Sequence, residues 1–209
     1  MAKQALSVEQ ILKTKFRTFP ITGPLSELLG TPEQTGHWFV YGESGHGKTT
    51  LLMQMAKVLS DFKKVEYNTL EEGARLSMKL ALSENKMHEC KKGRFSVLDK
   101  MPMEQLELRL SKPRSAKVVI VDSLQYTFID KKQFAEIDRR FGSTHLFIWN
   151  SHASGKNPVG ALAEAIMFHA DQKIYVSNFT AYSKSRTNRG KSSAYAIWPG
   201  GSQQLKSVI

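Results

Sequence analysis

Residues 42–49 read Gly42-Glu43-Ser44-Gly45-His46-Gly47-Lys48-Thr49, and the fold class follows from what stands on either side of them. The glycines let the backbone turn tightly, so that several N–H groups point into one concavity suited to the oxygens of a polyphosphate. The apolar run Trp38-Phe39-Val40-Tyr41 before the loop reads as a buried strand, and Leu51, Leu52, Met55, Ala56 and Leu59 after it recur at helical spacing. The loop therefore opens a helix, whose amino-terminal dipole also favours phosphate. A chance glycine-rich turn has no reason to carry both flanks. On this reading Gly42, Glu43, Ser44, Gly45, His46, Gly47, Lys48, Thr49 and Thr50 cradle a triphosphate, Lys48 neutralises its β- and γ-phosphates and Thr49 ligates Mg2+.

Outward from the loop, short apolar runs alternate with helical patterns. Residues 37–41, 64–68, 95–98, 117–121, 145–149 and 173–176 read as strands, with helices over residues 48–60 and from about Gly73 to Glu84. Such alternation implies crossover connections, hence an α/β layout whose mainly parallel, twisted sheet is covered by helices on both faces. Lys117-Val118-Val119-Ile120-Val121-Asp122 ends an apolar run in a carboxylate, as expected of a buried strand that delivers an aspartate beside the phosphate loop. Asp122 is thus the second candidate for magnesium, directly or through water. Glu71, following the strand at residues 64–68, could orient or deprotonate water, and Glu72 competes with it. Either one could instead simply complement the dipole of the helix that follows.

Composition bounds the rest. The 209 residues, 41% hydrophobic and 23% charged, suit one domain with a sizeable core. The opening MAKQALSVEQILKTKF lacks the apolar core of a signal peptide, and no apolar run is long enough to span a bilayer, so a soluble, cytoplasmic protein without membrane partners is expected. Cys90 is the single cysteine, which excludes an internal disulfide and a thiolate zinc cluster. The net charge of +11 exceeds what nucleotide binding needs and points to a phosphate-rich partner such as nucleic acid. The cations concentrate at residues 86–94, 112–117, 131–140 and 184–191.

Taken in order, these motifs resemble the RecA-like ATPases, the group of recombinases, RadA-type repair proteins, DnaB-type replicative helicases and KaiC-like proteins. The resemblance runs from Phe16-Arg17-Thr18 and residues 25–30, through the phosphate loop and Asp122, to the basic segment at Lys184. It implies a RecA-like P-loop NTPase fold in one unit. Residues 1–36 would be a lead-in, 37–176 the nucleotide-binding core, and 177–209 carboxyl-terminal strands bearing a basic finger. Residues 65–73 look like the family's second strand, which places the water-polarising role on Glu71. The run Leu146-Phe147-Ile148-Trp149-Asn150-Ser151-His152 looks like the strand ending in a γ-phosphate sensor, with Asn150, Ser151 and His152 all open as that sensor. Lys184 and Arg186, within residues 184–191, resemble the element that reaches into a neighbouring subunit's site, which would make activity depend on a ring or filament.

Two loops are candidates for single-stranded DNA. Residues 153–160, with Lys156, are polar and rich in turn formers, and read as a mobile loop. The other follows Asp122, where Tyr126 and Phe128 interleave with Lys131 and Lys132; its aromatics could stack bases or fill the core. The resemblance implies ATP and Mg2+ as ligands and leaves three functions open: a DNA-stimulated ATPase assembling on single strands in recombination, repair or replication; a hexameric DnaB-like helicase or its partner; and a KaiC-like switch governing protein assembly. Replication or recombination proteins are further expected partners. The sequence reads as a bare ATPase core without the extra domains of RadA-type or DnaB-type proteins, the form of short recombinase-like proteins from phages and mobile elements.

Overall fold

Apolar runs buried on both faces build the centre of the sheet. In the computed structural model, which describes residues 5–187 and 193–200, two short helices precede the core. Ser7 caps α1 (Val8–Lys13) in a capping box with Gln10, and α1 buries none of its residues. Helix α2 (Pro24–Leu29) buries Leu25, Leu28 and Leu29. Then come β1 (Gly36–Gly42), α3 (Lys48–Ser60), β2 (Val65–Thr69), α4 (Leu76–Glu84), β3 (Phe95–Asp99), α5 (Met103–Leu110) and β4 (Val118–Asp122). The chain continues through α6 (Lys131–Phe141), β5 (Leu146–Ser154), β6 (Asn157–Pro158), α7 (Ala161–His169), β7 (Gln172–Ser177), β8 (Thr180–Ser185) and β9 (Ser193–Ala196).

The described strands form one nine-stranded sheet in the order β3-β2-β4-β5-β1-β7-β8-β9, with β6 paired to β5. From β3 to β7 every pairing is parallel, while β7, β8 and β9 are antiparallel. Successive side chains go to opposite faces. Trp38, Val40, Val118, Ile120, Leu146 and Ile148 pack with α3 on one face. Phe39, Val119, Val121, Phe147 and Trp149 pack with α5, α6 and α7 on the other. The expected mainly parallel α/β sheet with helices on both faces is therefore what the chain adopts.

Local differences from the sequence reading have backbone causes. Helix α4 begins at Leu76 rather than near Gly73, because Gly73 is left-handed (φ 74) and Arg75 is extended. The segment expected to be a mobile loop is a tight hairpin: Ala153 pairs with Pro158 and Ser154 with Asn157, around the turn Gly155-Lys156. Glu43 Oε1 accepts the Gly155 N–H at 3.1 Å, and the Tyr175 hydroxyl donates to its carbonyl at 3.2 Å, pinning the turn. Asn188, Arg189, Gly190 and Lys191 of the basic segment lie outside the described residues.

At the amino-terminal edge of β5, the His145 ring is buried at 3% exposure. Burial, and then the Lys117 cation beside it, push its pKa down from 6.5 to about 4. An unfolded chain takes up that proton near the ordinary value, so the stability this neutral ring contributes is complete above pH 6.5 and is lost as pH falls toward 4. The difference amounts to about 3 kcal/mol at most. Urea denaturation at stepped pH should show wild type losing more stability than His145→Gln across this window; parallel curves would rule the linkage out.

Candidate functional site

The carboxyl ends of β1, β2, β4 and β5 converge on a cleft of about 320 Å³, lined by Ser44, Gly45, Gly47, Lys48, Thr49 and Thr50 from the loop after β1, and by Glu71, Glu72, Asp122, Asn150, His152 and Phe179. Gly42, at the end of β1, lies against β7: a Cβ there would sit 2.2 Å from the Val176 carbonyl oxygen, so a side chain would push the two strands apart. Gly47 is left-handed (φ 96), and a Cβ on it would meet the Phe179 ring at 2.9 Å. Glu43 and His46 belong to the loop without lining the cleft; Glu43 is taken by the Gly155 hairpin.

Lys48 is buried at the base of the loop, its Nζ donating to the carbonyls of Gly42 and Glu43 at 2.8 Å each. Burial pulls its pKa down, while the carboxylates of Asp122, Glu71 and Glu43 pull the other way. Asp122, also buried, accepts hydrogen bonds from the Tyr67 hydroxyl on β2 and the Asn150 amide on β5. Burial raises the Asp122 pKa, and these two donors oppose the rise. Opposite charges thus meet in a partly desolvated cleft, which strengthens their attraction.

Glu71 is placed by the chain that follows β2. Its backbone N–H donates to the Asp122 carbonyl at 3.2 Å. Its carboxylate accepts from Ser123 Oγ at 2.8 Å and lies 3.0 Å from His152 Nε2. Glu72 reaches the cleft but accepts from Ser77 Oγ at 2.9 Å, at the start of α4. Both glutamates precede α4, whose first turn holds no acidic residue of its own, and only the Glu72 carboxylate bonds to that turn. Strand alternation separates the three sensor candidates. Asn150 and His152 reach the cleft, whereas Ser151 is turned away to accept from Gln125 Nε2 at 2.9 Å.

The candidate DNA contacts gather at this same end of the sheet. A 3₁₀ turn (Leu124–Tyr126) follows β4, leaving Tyr126 42% and Phe128 88% exposed, so neither fills the core. Lys131 and Lys132 open α6, and Lys156 sits in the β5–β6 turn, all three exposed. Gln125 ties the two loops together, donating to Ser151 Oγ and, at 3.3 Å, to the Val159 carbonyl, while accepting the His152 N–H at 3.3 Å. Lys184 and Arg186 lie at the opposite end. Arg186 N donates to the Asp171 carbonyl at 3.0 Å and its guanidinium to the Phe168 carbonyl at 2.9 Å, beside the start of β1. The seven residues of β1 separate that edge from the phosphate loop by about 20 Å.

Tyr67, Ser123, Gln125 and Phe179 went unnoticed in the sequence. Phe179 shares a two-residue turn with Asn178, both left-handed (φ 54 and 48), which sets its ring against Gly47 and edge-on to Trp198 at 5.4 Å. Asn178 was the available signal for that turn; the others sit on strands or a short turn with no local mark.

The residues present fit a triphosphate and its divalent cation. The left-handed Gly45 and Gly47 shape the loop, Thr49 and Asp122 stand together on the cleft wall, and the Asn150 Oδ1 oxygen is buried without a hydrogen-bond partner among the described residues. Away from this cleft, His37, Asp138 and His169 cluster closely enough for a metal. There, however, His37 Nδ1 accepts the Trp149 indole N–H at 3.0 Å, so its Nε2 carries the hydrogen that meets Asp138 at 3.0 Å. His37 is therefore left without a free lone pair for a metal.

No protein-family model matches the chain, and no curated protein matches it in sequence. Among solved structures it is similar to a KaiC-like protein from the hyperthermophilic archaeon Pyrococcus horikoshii OT3, with 18% identity, a TM-score of 0.63, and coverage of 90% of this chain and 98% of that one. It is also similar to the flagellar accessory protein FlaH from Methanocaldococcus jannaschii, with 13% identity, a TM-score of 0.58, and coverage of 82% and 88%. The fold is that of the RecA-like P-loop ATPases. No helix among the described residues is long and apolar enough to cross a membrane.

Lys48→Ala should weaken ATP binding roughly 10- to 100-fold, the loss expected when a charge-assisted hydrogen bond worth about 1.5–3 kcal/mol disappears. Titration with a fluorescent ATP analogue measures it, and unchanged affinity in a folded variant would remove the loop from the site.

Proposed function

We propose that the chain is a magnesium-dependent ATP hydrolase that works as an oligomer on single-stranded DNA. The hydrolytic part is carried by Glu71, whose carboxylate stands over the phosphate cleft between Ser123 and His152. In this reading Glu71 orients the attacking water and takes its proton. Ser123 and His152 hold the carboxylate in one orientation. Lys48 neutralises phosphate charge from the base of the loop, and Asn150 with His152 registers whether the terminal phosphate is present. Thr49 and Asp122 would hold the divalent cation, which supplies neutralising charge to the polyphosphate. Phe179, against the loop, offers a ring face for a nucleobase.

Three observations support the DNA part. The net charge is +11. Tyr126, Phe128, Lys131, Lys132 and Lys156 are exposed on two loops that Gln125 joins. Gln125 also touches the backbone of His152, and His152 touches Glu71, so a strand bound at these loops acts on the hydrolytic carboxylate through two contacts. Arg186 and Lys184 are about 20 Å from their own phosphate loop, so a finger role falls to a neighbouring copy.

Single-stranded DNA should stimulate ATP hydrolysis at low salt, with stimulation fading steeply as salt rises. Hydrolysis indifferent to single strands would sink the DNA reading and favour a switch acting on a protein partner; nucleotide-driven unwinding of duplex would instead mark a helicase.

Glu71→Gln should lower kcat roughly 10²- to 10⁴-fold while leaving the nucleotide Kd near wild type, and Glu72→Gln should change little. Steady-state kinetics with both variants decide between them, and equal activity of all three proteins would reject the assignment. In the assembled protein Arg186→Ala should cost roughly 10³-fold or more. Full activity of a stable monomer, measured by light scattering alongside turnover, would exclude the shared site.

A further inference from the structure

At the other end of the same strands lies a second cleft, of about 470 Å³. Lys15, Phe16 and Arg17 line it from the segment before α2, Lys63 from the turn before β2, Lys117 from the approach to β4, and Ser143 and Thr144 from the turn before β5. Against four cations it holds a single carboxylate, Glu33. Lys15, Arg17 and Lys63 form no ion pair with any described residue, and neither does Glu33. Like charges left uncompensated around one concavity repel one another, and an anion placed among them relieves that repulsion.

The cleft is also built from beneath. Lys117 Nζ lies 3.2 Å from His145 Nε2, and His145 Nδ1 lies 2.8 Å from Thr144 Oγ1, which in turn donates to the Phe141 carbonyl at 3.2 Å. An ammonium has only hydrogens to give, so Nε2 accepts and Nδ1 carries the ring's hydrogen toward the threonine oxygen. The neutral state of the buried ring fits this assignment. Two of the cleft's polar groups are thus held in place through a buried histidine before any ligand arrives.

The charge extends beyond the cleft. Lys64 precedes β2, Arg94 precedes β3 and Arg114 precedes β4, so cations follow the amino-terminal edge of the sheet along β3, β2 and β4, up to the cleft residues Ser143 and Thr144 before β5. Four adjacent strands span roughly 15 Å, about the reach of four successive backbone phosphates. Phe16, 59% exposed, stands among the cations. An aromatic ring interleaved with lysine, arginine and hydroxyl groups is the chemistry that binds single strands, by stacking bases and neutralising phosphates. Lys117 is half-buried, so a flexible chain reaches it more readily than a planar lipid surface would.

We propose that this cleft and the basic edge around it form a nucleic-acid site that grips the sugar–phosphate backbone of a single strand at the end of the sheet opposite the nucleotide. The site is separate from the loops after β4 and β5 and does not depend on hydrolysis. The test uses the full chain and a labelled oligothymidylate, followed by fluorescence anisotropy across salt concentrations. Arg17→Ala/Lys63→Ala should raise the Kd roughly tenfold at low salt and lower the slope of log Kd against log salt by about two, one per lost phosphate contact. Lys63→Glu, a single surface change, should weaken binding further than Lys63→Ala does. Unchanged nucleotide affinity and circular dichroism establish that these variants are folded. Binding and slope equal to wild type in every cleft variant, with all loss confined to Lys131→Ala/Lys132→Ala, would overturn the proposal and leave the DNA-stimulated ATPase standing. Wild type that binds phosphatidylserine vesicles but no oligonucleotide would overturn it as well. Cleft-dependent binding without any stimulation of hydrolysis would uphold this site and reject the coupling proposed above.

Discussion

One buried carboxylate organises the active end of this molecule. Asp122 ends β4 at 7% exposure and takes a hydroxyl from β2 and an amide from β5, so three neighbouring strands finish on the same group. Its backbone carbonyl accepts the N–H groups of Leu70 and Glu71, which fixes where the chain leaves β2. The position of Glu71 over the cleft is thus set by the strand that also supplies the metal candidate. Burying a charge without partners costs several kcal/mol, and two donors plus the nearby Lys48 offset that cost here. The residual tension shows in both groups, since burial pushes Asp122 up and Lys48 down. A cation with a polyanion relieves both at once, and the unpartnered oxygen of Asn150 adds a further acceptor at the same place.

Parallel strands give the sheet two chemically different edges. At the carboxyl edge of β1, β2, β4 and β5 stand the phosphate loop and the acidic residues Glu71, Glu72 and Asp122. At the amino edge of the same strands the approach segments carry Arg17, Lys63 and Lys117 around a recess. The +11 charge is therefore not spread evenly as a solvated surface would have it. Part of it gathers at the amino edge around that recess, while the cleft at the carboxyl edge is lined by three carboxylates. Two of the hydrogen-bonded histidines follow the same division. His152 supports the Glu71 carboxylate, and His145 supports the cleft lysine.

The parts that were legible in the sequence are those where local chemistry leaves little choice. The phosphate loop needs glycines at left-handed positions and a lysine at its base, and Gly45, Gly47 and Lys48 supply them at fixed spacing. Strands buried on both faces read as apolar runs, which made β1, β4 and β5 visible from Trp38, Val118 and Leu146 onward. What stayed hidden depends on register and on distant contacts. Ser151 could not be told from its neighbours until the pleat of β5 was known, because one residue of shift exchanges the faces. Ser123 and Glu71 are 52 positions apart, and Gln125 reaches residues 26 and 34 positions away, so no window of sequence contains either contact. The β5–β6 hairpin was hidden for another reason: a polar, glycine-containing stretch looks the same whether it is open or folded on itself.

The antiparallel strands carry the last consequence. Because β8 runs back along β7, its end returns Arg186 to the edge where β1 begins, against Asp171 and Phe168. Within one chain the strand length keeps that guanidinium about 20 Å from the phosphate loop, and no side-chain rotation covers such a distance. A role for Arg186 in phosphate chemistry accordingly requires a second copy whose carboxyl edge meets this copy's amino edge. Contacts of that kind join unlike surfaces, so they propagate head to tail and either close into a ring or continue as a filament. The same geometry sets the cleft at Lys117 on the edge that bears Arg186. A strand held there would lie at the edge where that neighbouring copy must dock, and occupancy of the cleft and completion of the neighbour's site would then share one surface.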